Sequence, residues 1–183
     1  MNETVPAAKA LFMKYDGDTF HMAREGEHEA YKAFCVPRCV EVRWIKELRA
    51  MLLDELVAMP LSPVRASRII HRYLATVSHY TKDPVTINTL LQAITPRVEE
   101  FDSFARLRFA EEIVYACNSL GTRTDATLRN ARRFAERLLQ DVIENPVTVV
   151  EEWKQMPHLE DTFEAWAIKQ RALKVYAKAT SGS

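Results

Sequence analysis

The stretch Ser103 to Leu120, SFARLRFAEEIVYACNSL, decides the fold of this chain. Drawn as a helix, it gathers its apolar residues into an arc that is broader than the single stripe of a surface helix. The members of this arc are Leu107, Phe109, Ala110, Ile113, Val114, Ala116, Cys117 and Leu120. Asp102 or Ser103 can cap the first turn, and Gly121 can adopt the left-handed conformation that closes the last turn. The stretch therefore predicts a helix in the middle of the core.

The composition of the whole chain is that of a soluble, helix-rich protein. Its 183 residues are 48% hydrophobic and 27% charged, which is enough for one domain with a substantial core. Four glycines are few for this length, because average usage near 7% would give about a dozen. The formal net charge is zero, so no global field draws the chain towards nucleic acid or anionic lipid.

Three features of the sequence bear on where the protein works. No apolar run approaches the roughly 20 residues of a membrane span, so we expect no membrane partner. The first residues, MNETVPAAKALFMKYDGD, lack the basic start and long apolar core of a signal peptide. Three cysteines, an odd number, argue against a disulfide framework. Together these features predict a protein of the reducing cytoplasm.

Helical periodicity recurs on both sides of the central stretch, with short turns between the segments. Further predicted helices cover about 38–59, 63–79, 84–101, 125–145 and 159–180. Pro96 falls inside one of them, where we expect a kink or two short helices. Successive long helices joined by tight turns pack antiparallel. The pattern predicts a mostly α-helical fold, either an antiparallel multi-helix bundle or a short α-α solenoid with packing of the HEAT or armadillo kind.

Leu11 to Glu25 is the one segment with a strand-like pattern. The segments LFMKY and TFHMA flank Asp16-Gly17-Asp18, and Asp-Gly is a strong signal for a β-hairpin turn. The alternative is a short helix from Pro6 to Tyr15 followed by a loop. We predict a small N-terminal β-hairpin and a short helix in residues 1–36, packed on a single all-α domain in residues 37–180.

The last predicted helix carries a stripe with alternating spacings of three and four residues. The stripe consists of Phe163, Trp166, Gln170, Leu173 and Ala177. This spacing is typical of a seam that packs on a neighbouring helix. It also suggests a homodimer formed through the apolar face of this helix.

Arginine is the most informative charged residue, with 16 copies against 9 of lysine. The segment 61–137 has a net charge of +4, and two of its predicted helices carry basic faces. The candidate anion or nucleic-acid ligands on these faces are Arg65, Arg68, Arg72, Arg129, Arg132 and Arg133, since the planar guanidinium suits phosphate. The competing interpretation is a solvated, salt-bridged surface. Arg106 differs because it lies within the apolar arc, where it either pairs with a carboxylate or binds an anion.

The densest cluster of metal-ligand residue types is His21, His28, Cys35 and Cys39. Two cysteines and two histidines can hold zinc in a tetrahedron. However, the usual signatures contain tight pairs such as C-x₂-C, and Cys35 and Cys39 are separated by three residues that include Pro37. The simpler interpretation places both cysteines in the core and the histidines at the surface.

Catalytic sequence motifs are missing from the chain. It contains no H-E-x-x-H, P-loop, G-x-S-x-G or G-x-G-x-x-G motif. We therefore predict a non-enzymatic interaction or regulatory protein without a cofactor, which binds a protein partner through helix faces or a concave groove. One alternative is a nucleic-acid-associated factor that uses the arginine faces. Another is a metal-dependent enzyme built on the His/Cys cluster.

Overall fold

The computed structural model describes residues 4–15, 42–58, 62–121, 125–155 and 163–181, and these are mostly α-helical without a strand. The α-helices in these ranges are α1 (Thr4–Lys14), α2 (Val42–Val57), α3 (Pro63–Ala75), α4 (Val85–Ile94), α5 (Ser103–Leu120), α6 (Ala126–Glu144) and α7 (Ala165–Thr180). A π-helical segment, Thr76–Thr81, continues α3, and 3₁₀-helices cover Thr95–Glu100 and Glu151–Gln155. None of the helices described is both long and apolar enough to cross a membrane. The prediction of a mostly α-helical fold is confirmed.

The chain divides into two compact units, residues 1–55 and 56–183. In the first unit, the described part contains α1 and most of α2. The Phe12 ring of α1 lies 6.2 Å from the Trp44 ring of α2, and Lys9 forms an ion pair with Glu47. The predicted boundary between residues 36 and 37 stays a prediction.

The prediction of a first strand for the N-terminal hairpin is wrong. Leu11 to Lys14 form the last turn of α1, and Phe12 is completely buried. The physical reason is that alanine, leucine, methionine and lysine, which make up most of α1, all favour a helix over a strand. The alternative helix over Pro6 to Tyr15 describes the segment correctly. The rest of the hairpin and the short helix predicted after it, residues 16–34, lie outside the described residues.

The second unit is arranged around α5, which packs against α3, α6 and α7. Seven of the eight residues predicted for its apolar arc are buried, and Leu120 is half-buried. Both predicted caps are confirmed. Asp102 Oδ1 accepts a hydrogen bond from the Ala105 amide at 2.8 Å, and Gly121 closes the helix with φ of 73°. The sequence prediction of a helix in the middle of the core therefore holds.

Asp102 also connects the start of α5 to the segment that follows α6. Its second carboxylate oxygen, Oδ2, accepts hydrogen bonds from the Val150 amide at 2.9 Å and from Trp153 Nε1 at 3.0 Å. The Trp153 ring in turn meets the Phe104 ring edge to face, with centroids 4.7 Å apart. One buried carboxylate thus satisfies three donors that would otherwise lose their water without replacement.

Proline and arginine shape the region before α5. As expected from Pro96, α4 stops at Ile94 and the chain continues as a 3₁₀-helix. Arg97 within this 3₁₀-helix is buried and donates hydrogen bonds to the carbonyls of Leu56 at 2.6 Å and Ala58 at 3.0 Å. It satisfies carbonyl groups that the end of α2 leaves without helical partners.

We expect Asp102→Ala to lower the free energy of unfolding by about 3 kcal/mol, because it removes a helix cap and leaves two further buried donors unpaired. Asp125→Ala is the matched control, since among the described residues Asp125 accepts hydrogen bonds only from the Thr127 and Leu128 amides that it caps in α6. It should cost about 1 kcal/mol. Urea unfolding followed by circular dichroism measures both values, and equal losses would contradict the connecting role of Asp102.

Candidate functional site

One face of α7 packs on the core of the second unit. Ile168, Ala172 and Ala179 are buried where α7 contacts α5 and α6. The two alanines allow close approach of the helix backbones, and Ile168 supplies apolar area. The packing of α7 therefore uses its smaller residues.

The opposite face of α7 presents large apolar side chains to solvent. Trp166 is 64% exposed and Leu173 is 40% exposed, and Gln170 and Ala177 between and beyond them are exposed as well. We call these four residues the α7 stripe. They do not pack on a neighbouring helix within the described part of the chain, because α7 buries the other side of the helix. The homodimer suggested for this face stays a prediction. Of the predicted seam, Phe163 packs inward, with its ring 5.0 Å from the Phe104 ring.

Polar contacts fix the direction in which the α7 stripe points. Arg171 forms a two-pronged ion pair with Glu111 of α5, with Nη2 at 2.7 Å from Oε2, and its guanidinium lies over the Phe104 ring. At the start of α7, Trp166 Nε1 donates a hydrogen bond to the Glu164 carboxylate. These contacts hold the helix against rotation and orient the exposed indole.

Lysines flank the α7 stripe on both sides. Lys169 lies on one flank and Lys174 and Lys178 on the other, and all three are exposed. Residues 165–180 contain no Asp or Glu, and Arg171 is neutralised by Glu111. No ion pair joins the three lysines to a residue within the described part of the chain. The apolar stripe therefore has a positively charged rim.

A groove of about 480 Å³ between α6 and α7 adjoins the α7 stripe. The lining residues of this α6–α7 groove are Asn130, Arg133, Glu136, Arg137, Gln140 and Tyr176. Tyr176 follows Leu173 by three positions, so the groove and the stripe share an edge of α7. Arg133 and Arg137 are exposed, and Glu136 is the one carboxylate in the lining.

The two predicted arginine faces lie on two different helices. Arg65, Arg68 and Arg72 lie on α3, whereas Arg129, Arg132 and Arg133 lie on α6. Each of these helices packs on α5. A groove that joins the two faces stays a prediction.

Burial further divides these arginines. Arg68, Arg129 and Arg133 are exposed, while Arg132 is buried near Cys117 of α5. Arg132 Nη1 has no hydrogen-bond partner among the described residues. Burial raises the pKa of the Cys117 thiol to about 11, although the positive charge of Arg132 acts in the opposite direction. A thiol with so high a pKa is protonated at neutral pH and does not act as a nucleophile.

Arg106 is held entirely by groups of its own chain. It is 3% exposed, and its Nε donates to the Phe101 carbonyl at 2.8 Å. Its terminal nitrogens pair with Asp141 of α6 and with Glu99, whose Oε2 lies 3.4 Å away. The carboxylate pairing considered from the sequence accounts for the burial of Arg106.

A polar network that the sequence analysis missed joins α3 to α5. His71 Nδ1 lies 2.9 Å from Glu112 Oε2, and Arg108 Nη2 lies 3.6 Å from Glu112 Oε1. The His71 contact is an ion pair only when the imidazole is protonated. Burial by itself would raise the pKa of Glu112, but His71 and the charges of Arg108 and Arg72 outweigh it and hold that pKa below its ordinary value of 4.5. The i, i+4 spacing of Arg108 and Glu112 indicates the ion pair between these two residues. His71 lies on another helix, so the sequence contains no signal for its contact with Glu112.

The predicted metal ligands His21, His28, Cys35 and Cys39 lie outside the described residues. Across the described ranges, the His, Cys, Asp and Glu side chains form no group of three that could hold a metal ion. The zinc site stays a prediction.

Comparison with protein-family models, with curated proteins and with solved structures found no match for this chain. Its function therefore has to be inferred from its own surface. Within the described part, the most distinctive surface is the α7 stripe with its lysine rim and the adjoining α6–α7 groove.

We expect Glu112→Gln to lower the free energy of unfolding by about 1 kcal/mol at about pH 7, because it removes the charge that pairs with His71 and Arg108. A carboxyl whose pKa is lowered by folding stabilises the protein above its unfolded pKa, and this contribution is lost as the pH falls through the folded pKa. The difference between wild type and variant should therefore shrink between about pH 5 and about pH 3.

Urea unfolding at several pH values measures this difference. Glu144→Gln is the control, because Glu144 is exposed and contacts the neutral Gln140. A constant difference across the pH range for Glu112→Gln would show that the network contributes nothing through charge.

Proposed function

We propose that this protein is a non-enzymatic interaction protein that binds a protein partner through the α7 stripe and the adjoining α6–α7 groove. The observation that carries the proposal is the exposure of Trp166 and Leu173, two turns apart on one side of a helix that is held in place. Exposed apolar clusters rimmed by polar residues are typical of interaction sites, and tryptophan is enriched among the residues that contribute most to binding.

Both predicted architectures, a bundle and a short α-α solenoid, fit the packing of the second unit, because the pairs α3–α5, α4–α6 and α5–α7 join helices two places apart, as stacked two-helix repeats do. Either architecture offers a partner the face of a surface helix, which is the kind of site that the α7 stripe provides. A cytoplasmic location fits the free Cys117 thiol.

The test compares capture of partners by wild type and by the double variant Trp166→Ala, Leu173→Ala. Both side chains are exposed, so the variant should unfold at nearly the wild-type urea concentration while losing a partner at least about tenfold in recovery. Quantitative mass spectrometry of material bound from a lysate of the source organism gives the recovery.

The matched control is the double variant Tyr115→Ala, Val85→Ala. Tyr115 is 59% exposed and Val85 is 65% exposed, and neither lies on α7. This variant should keep every partner that wild type binds. The proposal fails if no protein distinguishes wild type and control from the α7 variant.

A nucleic-acid-associated function is the second candidate, favoured by the exposed Arg129, Arg133 and Arg137 on α6. For this function, binding of labelled RNA or DNA should weaken steeply with salt and be lost in Arg133→Glu, Arg137→Glu, because phosphate contacts release counterions. Binding that survives this double charge reversal would exclude the α6 face. The metal-dependent alternative fails if elemental analysis of untagged protein finds no stoichiometric metal.

A further inference from the structure

We propose that the partner of the α7 stripe is an acidic amphipathic helix of another protein, which lies along α7 with carboxylates on both of its flanks. This inference rests on the proposed function, because it names the chemistry of the partner that the stripe binds.

The apolar spacing suits a helix as the occupant. Trp166 and Leu173 are seven residues apart, which places them about 10 Å apart along the helix axis. Apolar residues at i, i+3 or i+4, and i+7 of a partner helix repeat over the same distance. The groove beside Tyr176 gives the partner a concave edge, so that it rests against α6 as well as α7.

The charges around the α7 stripe indicate which residues the flanks of the partner helix carry. Lys169, Lys174 and Lys178 surround the stripe, and no carboxylate occurs within residues 165–180. Two carboxylates lie close by: Glu164 is bonded to the Trp166 indole, and Glu136 shares the groove with Arg133 and Arg137. The rim is therefore positive overall, and aspartate or glutamate on the partner would complement it.

A second copy of the same chain fits this surface poorly. Packing α7 against α7 would bring the three lysines of one copy towards those of the other without any carboxylate on either helix. An anionic membrane fits poorly as well. Helices that lie in the membrane interface insert a broad apolar face, whereas α7 already buries Ile168, Ala172 and Ala179 within the protein.

The test is a selection from a displayed library of random peptides of about 16 residues, long enough for several helical turns, on the full-length protein. We expect the enriched peptides to be net negative, with apolar residues at helical spacing. Synthetic copies should bind wild type and Tyr115→Ala equally. Trp166→Ala should weaken them at least about tenfold. The triple variant Lys169→Glu, Lys174→Glu, Lys178→Glu should weaken peptide binding by a similar factor, and added salt should weaken peptide binding further.

Four kinds of outcome would overturn the inference, and they differ in what they leave standing. Enriched peptides that need Trp166 but are neutral or basic would exclude the acidic helix and leave the protein-binding function in place. Peptides that bind without regard to Trp166, or no enrichment at all, would remove the acidic helix, and the lysate capture with the Trp166→Ala, Leu173→Ala variant then decides whether the protein-binding function stands. Sedimentation showing a dimer that Trp166→Ala dissociates would assign the stripe to a second copy. Trp166-dependent binding to vesicles of phosphatidylserine and phosphatidylcholine would assign it to a membrane.

Discussion

The need to enclose α5 is the constraint on which the second unit depends. Its apolar arc is so broad that a single neighbouring helix would leave much of it in water. The structure covers it with α3, α6 and α7. The position of every other helix in this unit follows from the surface that it covers, either on α5 or on one of the immediate neighbours of α5. This arrangement buries residues such as Phe109 and Ile113, and removing their apolar surface from water stabilises the fold.

Burying α5 also buries polar groups at its first turn, and each of those described finds partners within the chain. Asp102 accepts from a helix amide, from a loop amide and from the Trp153 indole. Arg106 pairs with Asp141 and with backbone carbonyls. Because an unpaired charge in the interior would cost several kcal/mol, such networks allow few alternative arrangements of the helices. The start of α5 is therefore a structural junction.

The final helix shows how one element can serve the core and the surface at the same time. α7 buries a narrow face made of isoleucine and alanine and leaves its larger apolar residues outside. A helix that only completed the core would bury its tryptophan and leucine first, since they contribute the most apolar area. The reverse choice is what makes the α7 stripe a candidate for recognition, and the lysines beside it are the reason why we propose an acidic partner.

Local patterns in the sequence determined the helices of the second unit, their caps and the core position of α5, because helix periodicity and capping depend on residues within one turn of each other. The kink at Pro96 followed from the same local chemistry. The prediction of an N-terminal strand was wrong because the Asp16-Gly17 turn signal was given more weight than the helix propensity of the residues before it. Only the tertiary structure decided which face of α7 is buried, because two of its faces carry apolar residues and the choice depends on the shape of the surface formed by α5 and α6. The His71–Glu112 pair was likewise decided there, since it depends on which helices become neighbours in space.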